Sequence, residues 1–141
     1  MRKFMHVITQ LGSPLFLIII TILAYLYIDK KAAANLFFAY AIALVVIVGI
    51  RSLYFKERPN KKKYHNIFQK LTYSSFPSAH AAKSVIMAYF FSITFPNIYI
   101  ILLVWALAFL VSYSRIYLKY HFVIDVVVGA LLGLAVSLIL L

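Results

Sequence analysis

The chain has 141 residues, 65% of them hydrophobic and 12% charged, and a water-soluble domain has nowhere to bury so much apolar surface. The 14 Lys and Arg against 3 Asp and Glu, a net charge of +11, must therefore lie in loops and at helix ends of an integral-membrane protein. The acids are Asp29, Glu57 and Asp125, too few for an oxygen cage around Mg²⁺ or Ca²⁺, and the absence of cysteine excludes disulfides, thiolate zinc sites and a cysteine nucleophile.

At the N-terminus, Phe4, Met5, Ile8 and Leu11 recur at helical spacing beside Arg2, Lys3 and His6, the pattern of an amphipathic helix lying in the membrane interface. A cleavable signal peptide is the rival reading, but the apolar run that follows is long and no small-x-small site closes it. That run, Leu15 to Ile28, is bracketed by Gly12-Ser13-Pro14 and Asp29-Lys30-Lys31 and reads as the first span. Ala32 to Ile50 is the second, closed by Arg51. A long hydrophilic stretch follows to Ser78, with Arg51, Lys56, Arg58, Lys61, Lys62, Lys63 and Lys70 against one acid, Glu57. The third span begins around Pro77 to His80 and runs to Phe95, where Pro96-Asn97 makes a turn. The fourth runs from Ile98 to about Tyr113, the fifth from Phe122 to Leu141, and Ser114 to His121 lies between them. The expected fold is all-α: a single domain over residues 1–141, a helical bundle of about five transmembrane helices with an N-terminal interfacial helix.

Five crossings put the N-terminus, the long loop and the Ser114 to His121 segment on one membrane side. Arg51, Arg58, Ser78, His80, Arg115, His121 and Asp125 all fall on that side and can converge. The other side offers Asp29, Lys30, Lys31, the Pro96-Asn97 turn and the C-terminus. Arg2, Lys3 and the Lys61 to Lys63 run outnumber Lys30 and Lys31, so the positive-inside rule turns the charged side to the cytoplasm, although a site for anions demands positive charge there in any case.

His121 and Asp125 are spaced i, i+4, so on one helix face the carboxylate can accept the proton of one ring nitrogen and leave the other lone pair free. The alternative is an ion pair between Asp125 and a nearby Arg or Lys. Ser78 and His80 stand at a helix start, where unpaired N–H groups and the helix dipole attract anions; Ser74, Ser75 or Ser78 could equally be a plain helix cap. Arg51, Arg58 and Arg115 carry guanidinium groups that match phosphate oxygens, and each could also contact anionic lipid. Lys83, one turn beyond His80, reaches the same region or snorkels to the interface. Gly129 and Gly133 form a small-xxx-small pair suited to close helix packing.

Together these segments resemble the type 2 phosphatidic acid phosphatase (PAP2) superfamily of lipid phosphate phosphatases and vanadium haloperoxidases. Arg51, six residues, then Arg58-Pro59 corresponds to its first motif, Pro77-Ser78-Ala79-His80 to the second, and Ser114-Arg115, His121 and Asp125 to the third. The resemblance covers about residues 11 to 141. Arg51 replaces the usual Lys and Ala79 the usual Gly; an alanine amide serves an anion there if its φ is negative. The family's usual first transmembrane helix is missing from the chain.

The resemblance implies phosphoryl transfer without cofactor or metal. In it His121 attacks phosphorus to give a phosphohistidine, Asp125 orients and polarises His121, and His80 protonates the leaving oxygen and then activates water. Arg51, Arg58, Ser78, the Ala79 amide and Arg115 hold the phosphate. The expected partners are the bilayer of a cell membrane and a membrane-lipid phosphate such as phosphatidic acid, phosphatidylglycerophosphate or a polyprenyl diphosphate. Nucleic acid is not expected, since the basic run sits beside a membrane. Other readings are a small transporter or channel, a catalytically silent lipid-binding protein, and a lipid phosphotransferase on the same site.

Overall fold

The computed structural model describes residues 1–60 and 65–141, with backbone only at 67 and 68; the Lys61 to Lys63 run lies outside the described residues. Those residues form seven helices and no strand: α1 (Arg2–Gln10), α2 (Pro14–Tyr27), α3 (Lys30–Leu53), α4 (Ile67–Tyr73), α5 (Ala79–Thr94), α6 (Ile98–Tyr117) and α7 (Val123–Leu140). The all-helical expectation holds, and it follows from the solvent, because hydrocarbon offers no partner for an unpaired backbone group.

Helices α3, α6 and α7 are long and apolar enough to cross a bilayer, and α1 with α2, bent by 44° at the break between them, make a fourth candidate. Such a bent pair is a broken span or a re-entrant loop. Helix α2 has 14 residues, about 21 Å at 1.5 Å per residue, against a hydrocarbon core of about 30 Å. Ser13 starts it, its hydroxyl accepting from the Phe16 amide, with Pro14 in the first turn. Helix α1 has the expected amphipathic character, but its buried residues Met5, Ile8 and Thr9 face protein: α1 packs on α6.

Helix α5, with 16 residues, is the hub, packed by α3, α6 and α7. Its closest neighbour is α7, and the reason is Gly129 and Gly133. A Cβ on either would lie 2.3 Å from a carbonyl oxygen of α5's start, that of Ser78 or of Ala82. The small-xxx-small pair therefore does what its spacing indicates, bringing two backbones into contact. Helix α3 uses alanine to the same end: Ala33, Leu36, Ala39, Ala43 and Ile47 form its buried stripe.

Two boundaries differ from expectation. Helix α6 continues through Ser114 and Arg115, placing Arg115 in its last turn, where a cation complements the helix dipole. The long loop contains α4, started by the Asn66 side chain, which accepts from the Gln69 amide at 2.8 Å. Hydrophobic periodicity over seven residues is too short to reveal such a helix.

Candidate active site

The buried stripes of the packed helices end at one end of the bundle in the motif residues. The α3 stripe ends in Arg51, that of α6 (Ala108, Val111) in Ser114 and Arg115, and that of α7 begins with Asp125. Cross-links between elements hold that end together. Arg51 donates to the Leu71 carbonyl at 3.2 Å and to the Pro77 carbonyl at 2.9 Å, and the Ser78 amide donates to the Asp125 carbonyl at 2.9 Å. The chain reverses after α6 through Lys119, whose φ is +57°. The Tyr120 and His121 amides then both donate to the Arg115 carbonyl, which folds His121 back over the end of α6.

His121 is 2% exposed, and its Nδ1 lies 2.6 Å from the Ser75 carbonyl oxygen. A carbonyl only accepts, so Nδ1 carries the proton and Nε2 keeps its lone pair. Burial and the nearby guanidinium groups of Arg115 and Arg58 lower the His121 pKa to about 3, outweighing the Ser75 bond, so the imidazole is neutral. His80, partly exposed on the first turn of α5, lies within electrostatic reach of His121, Arg115 and Arg58. The bend before α2 walls it in: a Cβ on Gly12 would lie 3.0 Å from the His80 ring.

Asp125 does not orient His121 by a direct hydrogen bond, which corrects the i, i+4 expectation. Its carboxylate, fully buried, is taken by three other donors. Lys56 reaches Oδ1 at 2.5 Å, while the Ser75 hydroxyl and the Phe122 amide, the latter at 2.8 Å, bond Oδ2. The geometric cause is that Asp125 is the third residue of α7 and turns back to cap the helix start, as acidic residues at that position do. Ser75 joins the two groups, its hydroxyl bound to Asp125 and its carbonyl to His121. The ion-pair alternative and the link to histidine are thus both realised, the second through an intermediary.

The three arginines are anchored by part of each guanidinium. Arg58 donates to the Thr72 carbonyl at 2.7 Å; Arg115 donates to the Thr9 hydroxyl at 2.7 Å and lies 4.5 Å over the Tyr120 ring. Burial lowers the Arg58 pKa from its ordinary value. The Nε–H groups of Arg51, Arg58 and Arg115 are all buried with no acceptor among the described residues. Three buried donors without acceptors in one site are costly unless a ligand supplies oxygens. Ser78 is the cap of α5, its hydroxyl accepting from the Ala81 amide at 3.5 Å. Ala79 is the first residue of α5 and its φ is not positive, so alanine is compatible with a helix start there.

Lys56, Ser75 and Thr9 carry no motif signal. Lys56 is one of several cations in a basic stretch, Ser75 one of two adjacent serines, and Thr9 sits on a helix whose composition speaks only of membrane. Lys56 and Ser75 become visible where the 54–60 segment lies against 74–76, with the Ser75 amide donating to the Lys56 carbonyl at 2.7 Å and the Lys56 amide to the Ser74 hydroxyl at 3.3 Å, and Thr9 where its hydroxyl accepts from Arg115.

The sequence pattern of the PAP2 superfamily matches residues 32–141, the segment that contains all three motifs. The chain belongs to the PAP2 superfamily. A lipid A 4′-phosphatase of Porphyromonas gingivalis is 30% identical to this PAP2 protein over 131 residues, 84% of this chain and 56% of that relative, so the chain spans little more than half of the relative's length. The crystal structure of Aquifex aeolicus LpxE superposes with a TM-score of 0.82 at 26% identity, covering 98% of this chain and 83% of that one. The crystal structure of a transmembrane PAP2-type phosphatidylglycerolphosphate phosphatase from Bacillus subtilis superposes with a TM-score of 0.80, covering 99% and 74%; at 24% identity it shares the fold. With membrane relatives and three long apolar helices, this PAP2 chain is a multi-pass membrane protein.

Proposed function

We propose that the chain is a metal-independent lipid phosphatase of a cell membrane. It hydrolyses a phosphomonoester or diphosphate of a membrane lipid through a phosphohistidine on His121. One observation carries this reading: a buried neutral histidine, its Nδ1–H held by a carbonyl and its Nε2 free, beside three guanidinium groups with unsatisfied Nε donors. Such a histidine is a nucleophile and such donors stabilise a phosphoryl group in transfer. The named activities of the relatives, which are phosphatases, support the same reading.

In this mechanism Nε2 of His121 attacks phosphorus and the P–O bond to the lipid breaks. The electron pair stays on the leaving oxygen, which takes a proton from His80, charged once the bound phosphate offsets the guanidinium groups around it. Neutral His80 then accepts a proton from water, the water oxygen attacks phosphorus, and the P–N bond breaks to release phosphate. Arg51, Arg58 and Arg115 hold the equatorial oxygens with the Ser78 hydroxyl and the Ala79 amide. Asp125 acts on His121 through Ser75. No step calls for a cation beyond these side chains. Residues 1–141 act as one domain, and α5, at the centre of the bundle, serves as a fifth crossing beside the broken α1–α2 span and the three long helices.

The test is release of inorganic phosphate from a panel of lipid phosphates by purified protein in detergent. Activity should persist in EDTA, fall to background in His121→Ala, and be inhibited by vanadate, which mimics the phosphoryl transition state. Wild-type rates in His121→Ala would refute the assigned nucleophile.

A further inference from the structure

The end of α6 turns its residues to two sides. Arg115 is buried and faces the site, whereas Tyr117, two positions on and about 200° round the helix, is exposed. The chain then reverses at Lys119, whose φ of +57° is uncommon for a residue other than glycine. The exposed Lys119 stands on a small pocket of about 290 Å³ with Tyr117, Leu118 and, from the start of α1, Arg2. Two cations from distant segments thus share one cavity, and neither has a carboxylate partner among the described residues. Asp125 is held by Lys56, Asp29 starts α3 at the opposite end, and Glu57 is not on the pocket. Like charges so placed repel, and an anion seated between them removes the repulsion.

Next to the pocket the surface is apolar. The Tyr117 ring lies 6.2 Å from that of Tyr113, which stacks on Phe109 at 6.5 Å, so three rings at i, i+4 spacing run along α6 away from Lys119. Phe109 and Tyr113 also line an apolar groove of about 440 Å³ between α6 and α7, with Ala108 and Val127. A cationic pocket continuous with an apolar groove fits a phosphate carried on a hydrocarbon chain: a free anion makes no use of the groove, and an uncharged lipid none of the cations. Tyrosine and lysine at a membrane surface ordinarily anchor a helix in the headgroup layer. Anchoring does not call for two cations from separate elements over one cavity. The groove shares no lining residue with the α2–α3 groove on which Lys83 stands one turn from His80, and Arg115 is not on the pocket. A lipid held there keeps its phosphorus away from His121.

Both walls of the pocket lead to the active site. Arg2 opens α1, whose Thr9 accepts from Arg115 at 2.7 Å and whose following bend sets Gly12 against the His80 ring. Lys119 opens the reversal that carries Tyr120 and His121. The Tyr120 ring lies 4.5 Å from the Arg115 guanidinium, and His6 of α1 meets it edge-on at 6.4 Å. An anion bridging Arg2 and Lys119 therefore ties the start of α1 to the end of α6 on either side of Arg115. We infer that Arg2, Tyr117 and Lys119 bind the headgroup phosphate of an anionic bilayer lipid that is not hydrolysed, its chain lying along Tyr113 and Phe109. Bound there, the lipid holds α1 on α6 and fixes Arg115; its effect on rate, an activation, rests on the phosphatase reading above.

The probe is dioleoyl phosphatidylglycerol, a phosphodiester, against dioleoyl phosphatidylcholine, in nanodiscs holding the full chain with substrate kept scarce relative to either. In phosphatidylcholine alone, wild type and the double variant Arg2→Gln, Lys119→Asn should have equal rates, since asparagine tolerates the left-handed turn. Added phosphatidylglycerol should raise wild-type kcat/KM by up to about tenfold, the weight of the charged Thr9–Arg115 hydrogen bond it secures, and that of the double variant by less than about twofold. Lys3→Gln removes the same charge from α1 outside the pocket and should respond as wild type does. Should the double variant lose its rate in phosphatidylcholine, Arg2→Gln alone carries the comparison. Native mass spectrometry, independent of turnover, should show phosphatidylglycerol retained over phosphatidylcholine by wild type and not by the double variant. Equal activation of wild type and variant, an equal loss in Lys3→Gln, or equal activation by water-soluble glycerophosphoglycerol overturns the inference. Wild type that hydrolyses no lipid phosphate overturns the phosphatase reading, and the retention comparison still decides the lipid site.

Discussion

Replacing Lys56 by methionine tests whether the Lys56–Asp125–Ser75 chain positions the nucleophile. The Asp125 side chain is 0% exposed and that of Lys56 24%, with Nζ and Oδ1 2.5 Å apart. Removing one partner of a fully buried pair costs about 3–5 kcal/mol, because the other charge is left uncompensated. Here Asp125 keeps the Ser75 hydroxyl and the Phe122 amide, and Lys56 is partly solvated, so about 2–3 kcal/mol is expected. Part of that strain falls on Ser75, whose carbonyl sets the His121 ring. Displacement of a reacting group by about 1 Å costs on the order of 100-fold in rate, and a fraction of that movement gives a fall in kcat of about 10- to 100-fold. The arginines proposed to hold phosphate do not bond Lys56, so KM and inhibition by inorganic phosphate should stay near wild type. The assay is steady-state phosphate release per folded protein, with melting temperature measured in the same detergent, and Lys56→Arg should restore kcat. Wild-type kcat in Lys56→Met, or a rise in KM with kcat intact, would refute the positioning chain.

Thr9→Val removes the acceptor of a 2.7 Å bond from Arg115; a fall in kcat/KM of about tenfold, reversed in Thr9→Ser, is expected from a charged hydrogen bond. Gly129→Ala puts a Cβ 2.3 Å from the Ser78 carbonyl, so α7 must separate from α5 at a cost of at least about 2 kcal/mol, read as a lowered melting temperature; Gly49→Ala, with nothing within 4 Å, should be neutral or stabilising. Because His121 is held near pKa 3 against an ordinary 6.5, the unfolded chain binds a proton between those values that the native chain does not. Stability should therefore be complete above pH 6.5 and decline as pH falls toward 3, and His121→Gln should flatten the decline of melting temperature between pH 7 and pH 4.5.

Much of this site is legible in one dimension. Apolar runs of about membrane thickness, separated by basic or Pro-containing breaks, dictate helices, since a bilayer accepts little else. Read as five crossings, the sequence puts Arg51, Arg58, Ser78, His80, Arg115, His121 and Asp125 on one side, and the Gly129 and Gly133 spacing announces the α5–α7 contact that the structure shows. These are properties of composition and period, which local sequence carries.

What tertiary structure alone decides is who bonds whom. At i, i+4 Asp125 could have met His121, but capping its own helix start turned its carboxylate to Ser75, Phe122 and Lys56. Lys56 and Ser75 are 19 positions apart and Thr9 is 106 from Arg115, separations that carry no periodic signal. Whether Lys83 meets a carboxylate or only other cations likewise depends on which helix faces it. Hydrophobic burial is non-directional and roughly additive along the chain, so a sequence states it plainly; hydrogen bonds and ion pairs depend on tenths of an ångström between distant segments, and only the packed bundle sets those distances.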